Sequence, residues 1–370
     1  MTGATWYELL RAQGRSWAGV ADGPFRGVIA VTRRCNLRCR TCASHAQPTR
    51  GEMTGDEILA LFRHLPHMTW LDLTGGEPFA RPDFPDLLVA AMDLMPRLRV
   101  LHFQTNGGFP DAAESAARRV SAQGRGRLVP VTVSIDGPPE LHDRLRGQAG
   151  SFERAVETVQ RLLRVPGVEV YVGTTLGPDN VLQAEATWAA LQERLPGLER
   201  RRWHWNLVQR SPHFFRNDGT PLLDREVARS RIRQHLAGRL PPATAVDWME
   251  GLFLLGLLRH LQHGRPILPC PALDGSCFVS AEGTLYPCHL WDRPVADLRE
   301  RGFDLGKAWR LPARKAARAE VARWACGGCF SPCEAYNMIA ASPIRGVGQA
   351  VLSALDLLRE GVSSASGRAP

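Results

Sequence analysis

From residue 26 onward, short β-branched or apolar runs alternate with stretches of helical periodicity. The runs 27–32, 69–74, 98–105, 128–135, 168–176 and 202–208 are predicted strands. Helices are predicted near 55–65, 83–95, 111–122, 151–164 and 181–195. Strands alternating with helices imply an α/β fold whose parallel sheet is wound by right-handed crossovers. Ligands of such sheets gather at the carboxyl ends of the strands.

The rest of the chain reads differently. Residues 1–25 form a lead-in with one helix around Trp6 to Arg11, and 209–266 form a helical connection. Within that connection, Trp248 to His263 is a strongly apolar helix that packs on the main body. Residues 267–340 are rich in Cys, Pro and Gly and lack long periodic runs, which marks a small domain stapled by metal. Residues 341–370 hold a final apolar helix, Val347 to Leu358, and a tail.

Composition narrows the class. The 370 residues are 44% hydrophobic and 22% charged, as in a globular protein. Net charge is +9, carried almost wholly by Arg, since Lys307 and Lys315 are the only lysines. An Arg- and Ala-rich chain reflects genomic base composition, and no RNA-binding module is visible, so no nucleic-acid partner is expected. No apolar signal core and no run of 18 apolar residues occur, so no transmembrane helix is expected. Nine Cys fall into a tight set of three and a looser set of six, which suits metal ligation in a reducing cytoplasm.

The tight set is Cys35, Cys39 and Cys42, spaced C-x3-C-x2-C just after the first predicted strand. Three thiolates hold three corners of a [4Fe–4S] cluster and leave one iron open to a small molecule. An electron-transfer cluster would have a fourth Cys, and structural zinc would also want four ligands. The second strand ends in Gly75-Gly76-Glu77-Pro78, where glycines let backbone approach a ligand closely. Together the strand pair, the three-Cys loop and the Gly-Gly-Glu turn resemble the radical S-adenosylmethionine (SAM) superfamily. The resemblance implies a partial (β/α)6 TIM-like barrel. It also implies that the open iron binds SAM and that Gly75, Gly76 and Glu77 meet its amino group. Reduction would then split SAM into methionine and a 5′-deoxyadenosyl radical, which takes hydrogen from a substrate at the barrel mouth. The chain departs from the family pattern at Thr41, where an aromatic residue often packs near the adenine.

By position, Asn106, Ser134 and Asp136 match strand-end residues that reach the ribose and carboxylate of SAM in this family, and Arg146 could pair with the carboxylate through its planar fork. The six remaining cysteines are Cys270, Cys277, Cys288, Cys326, Cys329 and Cys333. They resemble SPASM and twitch auxiliary-cluster domains. Two fully ligated clusters would need eight thiolates, so one auxiliary [4Fe–4S] cluster is the first expectation. Two clusters with open irons are the second, and zinc is an alternative because thiolates also suit it. Cys270, Cys288, Cys326 and Cys329 match the twitch set; Cys270, Cys277, Cys288 and Cys333 match one cluster of the fuller set. His204 and Asn206 on the sixth strand, then His213, Phe214 and Phe215, are candidates for the substrate side.

The leading expectation is an enzyme that oxidises or cross-links ribosomally made peptides. It would draw on an external electron donor such as a flavodoxin or ferredoxin. About 25 residues precede the first strand, too few for a fused leader-peptide domain, so a separate recognition protein is expected. Radical modification of a small sugar, amino-alcohol or lipid-linked substrate is the alternative. A non-catalytic iron–sulfur protein is the alternative of another class. No catalytic side chain is singled out.

Overall fold

The computed structural model describes residues 11, 14 and 23–353, apart from 124–125, 240, 265–266, 343–344 and 350. Residues 6–10 of the expected lead-in helix and 354–358 of the expected C-terminal helix lie outside the described residues. No helix among the described residues is long and apolar enough to cross a membrane.

Six parallel strands form the body: β1 (Arg26–Thr32), β2 (Trp70–Gly75), β3 (Val100–Thr105), β4 (Pro130–Ser134), β5 (Glu169–Leu176) and β6 (Trp203–Leu207). They lie in sequence order across the sheet, which stays open at β6. The helices between them are α1 (Gly55–Arg63), α2 (Phe84–Leu94), α3 (Pro110–Gln123), α4 (Pro139–Arg146), α5 (Ser151–Leu163) and α6 (Ala184–Arg194). Most turn an apolar stripe to the core. In α5 the stripe is Phe152, Ala155, Val156, Val159 and Leu162, at helical spacing. Burying each large apolar side chain of this kind contributes about 1.5–3 kcal/mol.

The register sorts strand residues into two faces. Ile29, Leu73, Phe103, Val131, Val172 and Trp203 lie on the helix-covered face and are fully buried. The opposite, concave face carries Asp72, Thr74, His102, Gln104, Thr132 and Ser134. His102, Thr132 and Ser134 are half-buried there and Gln104 is exposed. The strands thus line a polar lumen from β2 to β6. On the β1 side the lumen is filled instead by Val28, Ala30, Phe214, Phe278 and Ala281.

Helices α7 (Arg225–Ala237) and α8 (Ala245–His263) follow β6 and pack on each other. A capping box of Thr244 and Asp247 starts α8 three residues before the expected Trp248. The Cys-rich segment joins the same sheet. Its strand β7 (Ser276–Val279) pairs parallel with β1, and β8 (Thr284–Tyr286) and β9 (Ala296–Asp297) continue antiparallel. Helices α9 (Leu305–Trp309), α10 (Pro312–Ala322) and α11 (Pro332–Ala341) complete the segment.

Candidate radical SAM and iron–sulfur site

The loop bearing Cys35, Cys39 and Cys42 leaves the carboxyl end of β1 and is pinned from three sides. On one side Gly76 N–H donates to Thr32 O at 2.9 Å and Glu77 N–H to Arg34 O at 2.7 Å. The two backbones run so close that a Cβ on Gly76 would stand 2.6 Å from Arg33 O, and one on Gly75 would strike Thr32 O. Gly75 also has φ +150°, within the range that disfavours side chains. On the second side Arg38 N–H donates to Arg146 O at 3.1 Å and Arg40 N–H to Leu145 O at 3.0 Å. Those carbonyls are free because α4 ends there, closed by Gly147 at φ 69°. On the third side Ala43 N–H donates to Phe215 O at 2.9 Å, and Asn217 Nδ2 to Thr41 O at 2.9 Å.

All three thiols are half-buried. Burial pushes the Cys35 thiol up to about 11. Burial also raises Cys39, and the guanidinium of Arg146 opposes it. Each sulfur has a polar neighbour: Asn106 Nδ2 at 3.9 Å from Cys35 Sγ, Arg146 Nη1 at 3.9 Å from Cys39 Sγ, and Ser44 Oγ at 3.0 Å from Cys42 Sγ. Among the described residues, no three His, Cys, Asp or Glu side chains are already arranged as a metal site. The donor set itself fits an anionic thiolate-bound cluster: three Cys on one pinned loop with N–H and O–H groups facing the sulfurs.

The other expected SAM residues converge on this loop. Glu77 is fully buried, and its carboxylate accepts from Asn106 N at 2.6 Å, Phe79 N at 3.1 Å and Thr105 Oγ1 at 2.9 Å. Its side chain therefore ties β2 to β3, while the turn's backbone is held against the cysteine loop. Burial pushes this carboxyl up to about 7 against those donors. Asp136 Oδ2 meets Arg146 Nη2 at 2.8 Å, and its Oδ1 accepts from Thr175 N at 2.9 Å. The Nε of Arg146 is buried without a partner, an orphaned donor suited to an arriving carboxylate. Ser134 is half-buried at the end of β4.

The second cysteine set comes from three separate stretches. Cys288 and Cys329 raise the proton affinity of Cys270, and Cys329 that of Cys288, beyond the larger effect of burial. Cys326 and Cys333 act in the same way on Cys329. Cys277 stands apart. It lies on β7, level with Gly27, on the helix-covered face and within the main core. Of the substrate-side candidates, His204 and Asn206 are half-buried on the lumen face of β6, alternating with buried Trp203, Trp205 and Leu207. His213 is buried and stacks on Tyr286 at 4.4 Å, with burial pushing it down to about 4.

Sequence reading missed Ser44 and the lumen pair Asp72–His102. Asp72 Oδ1 sits 2.8 Å from His102 Nδ1, and His102 Nε2 is 3.0 Å from Thr132 Oγ1. Burial raises the Asp72 carboxyl, but Arg26 and His102 outweigh it and hold it down at about 2. The available signal was polar residues at alternate positions of three consecutive strands, 72 and 74, 102 and 104, 132 and 134.

A profile of the Radical SAM superfamily matches residues 29–187. Over 346 residues the chain is 35% identical to the AdoMet-dependent heme synthase of Nitratidesulfovibrio vulgaris, covering 83% of this chain and 87% of that protein. Over 332 residues it is 30% identical to the mycofactocin maturase MftC of Mycobacterium ulcerans, covering 83% of this chain and 80% of that one. Among solved structures, anSMEcpe with bound AdoMet superposes with a TM-score of 0.59 over 91% of this chain and 99% of that chain, at 14% identity. Streptococcus suis SuiB bound to S-adenosylmethionine gives 0.60 over 80% and 68%, also at 14%. At that identity these two speak for the shared fold. With pinned loop, glycine turn, open α/β sheet and whole-length relatives in agreement, the chain belongs to the radical SAM superfamily and is an enzyme.

Proposed function

We propose that Cys35, Cys39 and Cys42 hold a [4Fe–4S] cluster and that the enzyme abstracts hydrogen from a substrate seated over the polar lumen. The observation that carries this reading is the backbone crossing of Gly75–Glu77 with Thr32–Arg34, which sets the cysteine loop beside the turn. When bound, the cluster supplies the electron that splits SAM into methionine and a 5′-deoxyadenosyl radical. The protein's part is to bind and orient. The backbone of Gly75 and Gly76 meets the amino group, Arg146 Nε meets the carboxylate, and Asn106, Ser134 and Asp136 border the ribose. Phe214 and Phe278 close the β1 side against water.

In this reading residues 26–208 form the SAM barrel, 209–266 the helical connection and 267–340 the auxiliary module, flanked by the lead-in 1–25 and the tail 341–370. Cys270, Cys288 and Cys329, with Cys326, hold one auxiliary [4Fe–4S] cluster. The influence of Cys288 and Cys329 on Cys270, of Cys329 on Cys288 and of Cys326 on Cys329 supports that set alongside the match to the twitch arrangement, and the isolation of Cys277 in the core argues against its membership. The enzyme works in the cytoplasm with a flavodoxin or ferredoxin as electron donor.

For the substrate, the first reading is oxidation or cross-linking of a ribosomal peptide, delivered by a separate leader-peptide recognition protein. The whole-length likeness to MftC supports it. An iron tetrapyrrole is a second reading, favoured by the higher identity to the heme synthase. Anaerobic reconstitution with iron and sulfide, then SAM and dithionite, tests the core of the proposal. The wild type should release 5′-deoxyadenosine and the Cys35/Cys39/Cys42→Ala variant none; an intact cluster without product sinks it. A rise in 5′-deoxyadenosine on adding a precursor peptide, or instead an iron tetrapyrrole, separates the substrate readings.

A further inference from the structure

We propose that Ser44, Asn106 and Arg146 together raise the reduction potential of the first cluster, each by facing a different one of its three ligand sulfurs. The inference rests on the reading that Cys35, Cys39 and Cys42 hold that cluster. The three groups come from three places in the fold. Ser44 opens the short 3-10 turn Ser44–Ala46 that follows the cysteines, Asn106 follows β3, and Arg146 ends α4. The correspondence is one to one: Ser44 with Cys42, Asn106 with Cys35, Arg146 with Cys39.

The chemistry of a bound sulfur fixes the direction. Between a free thiol and a hydroxyl, either group can donate. A cluster-bound thiolate has lost its proton and can only accept, so the Ser44 hydroxyl must donate to Cys42. Amide and guanidinium N–H groups can only donate. Hydrogen bonds and local charge at ligand sulfurs are among the levers that set a cluster's potential. Reduction adds a negative charge that spreads onto the sulfurs. Donors facing them stabilise the reduced state more than the oxidised state, and the potential rises.

Burial strengthens each contact. Ser44 and Asn106 are 6% and 7% exposed, and in such surroundings a hydrogen bond is stronger than in water. Ser44 is held in place through Gln47: its carbonyl accepts from Gln47 N at 3.0 Å, and Gln47 is itself anchored to Phe214 O at 2.9 Å. Its 3.0 Å approach is the shortest of the three, so it should have the largest neutral effect. Arg146 adds a positive charge, which Asp136 at 2.8 Å partly offsets.

An EPR-monitored redox titration of the reconstituted full-length protein tests this without using turnover. The signal of the first cluster is the one the Cys35/Cys39/Cys42→Ala variant lacks. Ser44→Ala should keep wild-type iron and lower the midpoint. The expected change is about tenfold in the reduction equilibrium, about 59 mV for one electron. Ser44→Thr, which keeps the hydroxyl, should restore the wild-type value, and Asn106→Ala should shift in the same direction by less. An unchanged midpoint in Ser44→Ala at unchanged iron overturns the proposal. Should Ser44→Ala fail to hold iron, Asn106→Ala decides: a lower midpoint supports the proposal and an unchanged one overturns it. If the wild type has no signal that the triple variant loses, it is the cluster assignment that fails.

Discussion

The two cysteine sets are built on opposite plans. Cys35, Cys39 and Cys42 lie within one loop that backbone hydrogen bonds fasten to the β2 turn, the end of α4 and the stretch before α7. Cys270, Cys288, Cys326, Cys329 and Cys333 arrive from three stretches far apart in the chain, which strand pairing and side-chain contacts bring together, and Cys326 is exposed. The protein's own backbone fastens the loop of the first set, whereas the second set depends on distant stretches meeting, so metal binding should contribute more to its order. A site that must leave one iron open needs a rigid frame, because no fourth ligand completes the cage. A fully ligated site can let the metal do the fastening.

The largest effect should come from breaking the frame itself. Gly76→Ala places a methyl group against the carbonyls of Arg33 and Arg34, and neither is a side chain that can swing away. The cost should be about 3 kcal/mol in the denaturant midpoint, with loss of the first cluster's iron. Gly219 has open space around its Cβ position, so Gly219→Ala should stay within about 0.5 kcal/mol and keep its iron. Equal behaviour of the two variants would mean that the loop is not framed by the glycine turn.

The same contrast explains what could be read from the chain. A motif contained in nine consecutive residues, 34–42, announces itself, and so do buried strands: all six lie within two residues of expectation. Helix α4 was missed because Pro138-Pro139 reads as a turn. Pro139 in fact occupies the first helical turn, where its missing N–H costs nothing, and Gly147 closes the other end. Helix α7 was missed because only Ala228, Ile232, His235 and Leu236 face inward along a heavily charged stretch. The pairing of β7 with β1 joins residues some 250 apart, which local periodicity cannot report. The lumen was hidden for another reason. Parallel strands buried on both faces are ordinarily apolar throughout, so isolated polar residues such as Asp72 and His102 do not by themselves announce a lumen.

Next in size is a pH effect confined to the framed site. Burial lifts the Glu77 carboxyl from 4.5 to about 7. Between those values the unfolded chain has released a proton that the folded chain retains. This group therefore stabilises the fold less as pH rises through the window, by about 2–3 kcal/mol in all. Glu77→Gln should flatten that slope in denaturant midpoints taken from pH 4.5 to 7. An unaltered slope would place the burden elsewhere. Removing iron sharpens the contrast from the other side. Amide exchange over residues 326–333 should rise at least tenfold, about 1.4 kcal/mol, while the amides of Gly76 and Glu77 change little. Comparable changes in both places would erase the distinction between framed and fastened sites.

The smallest effect asks which cysteines belong to the fastened site at all. Cys277 shares the helix-covered face with Ile29 and Val279, and its thiol is driven up by burial and by Glu334, with no influence from another cysteine. Cys277→Ala should therefore cost about 1 kcal/mol of packing and leave the iron count unchanged. Cys288→Ala, at a position where burial and Cys329 both act on the thiol, should lose the auxiliary irons. If Cys277→Ala lost iron as well, the fuller arrangement with Cys277 as ligand would replace the set argued above. Strand β7 would then have to turn that side chain out of the core, and the pairing of β7 with β1 could not survive metal binding in the present register. Cys277 thus tests two things at once, because one residue cannot both fill the core at its present register and turn out of it to bind a cluster.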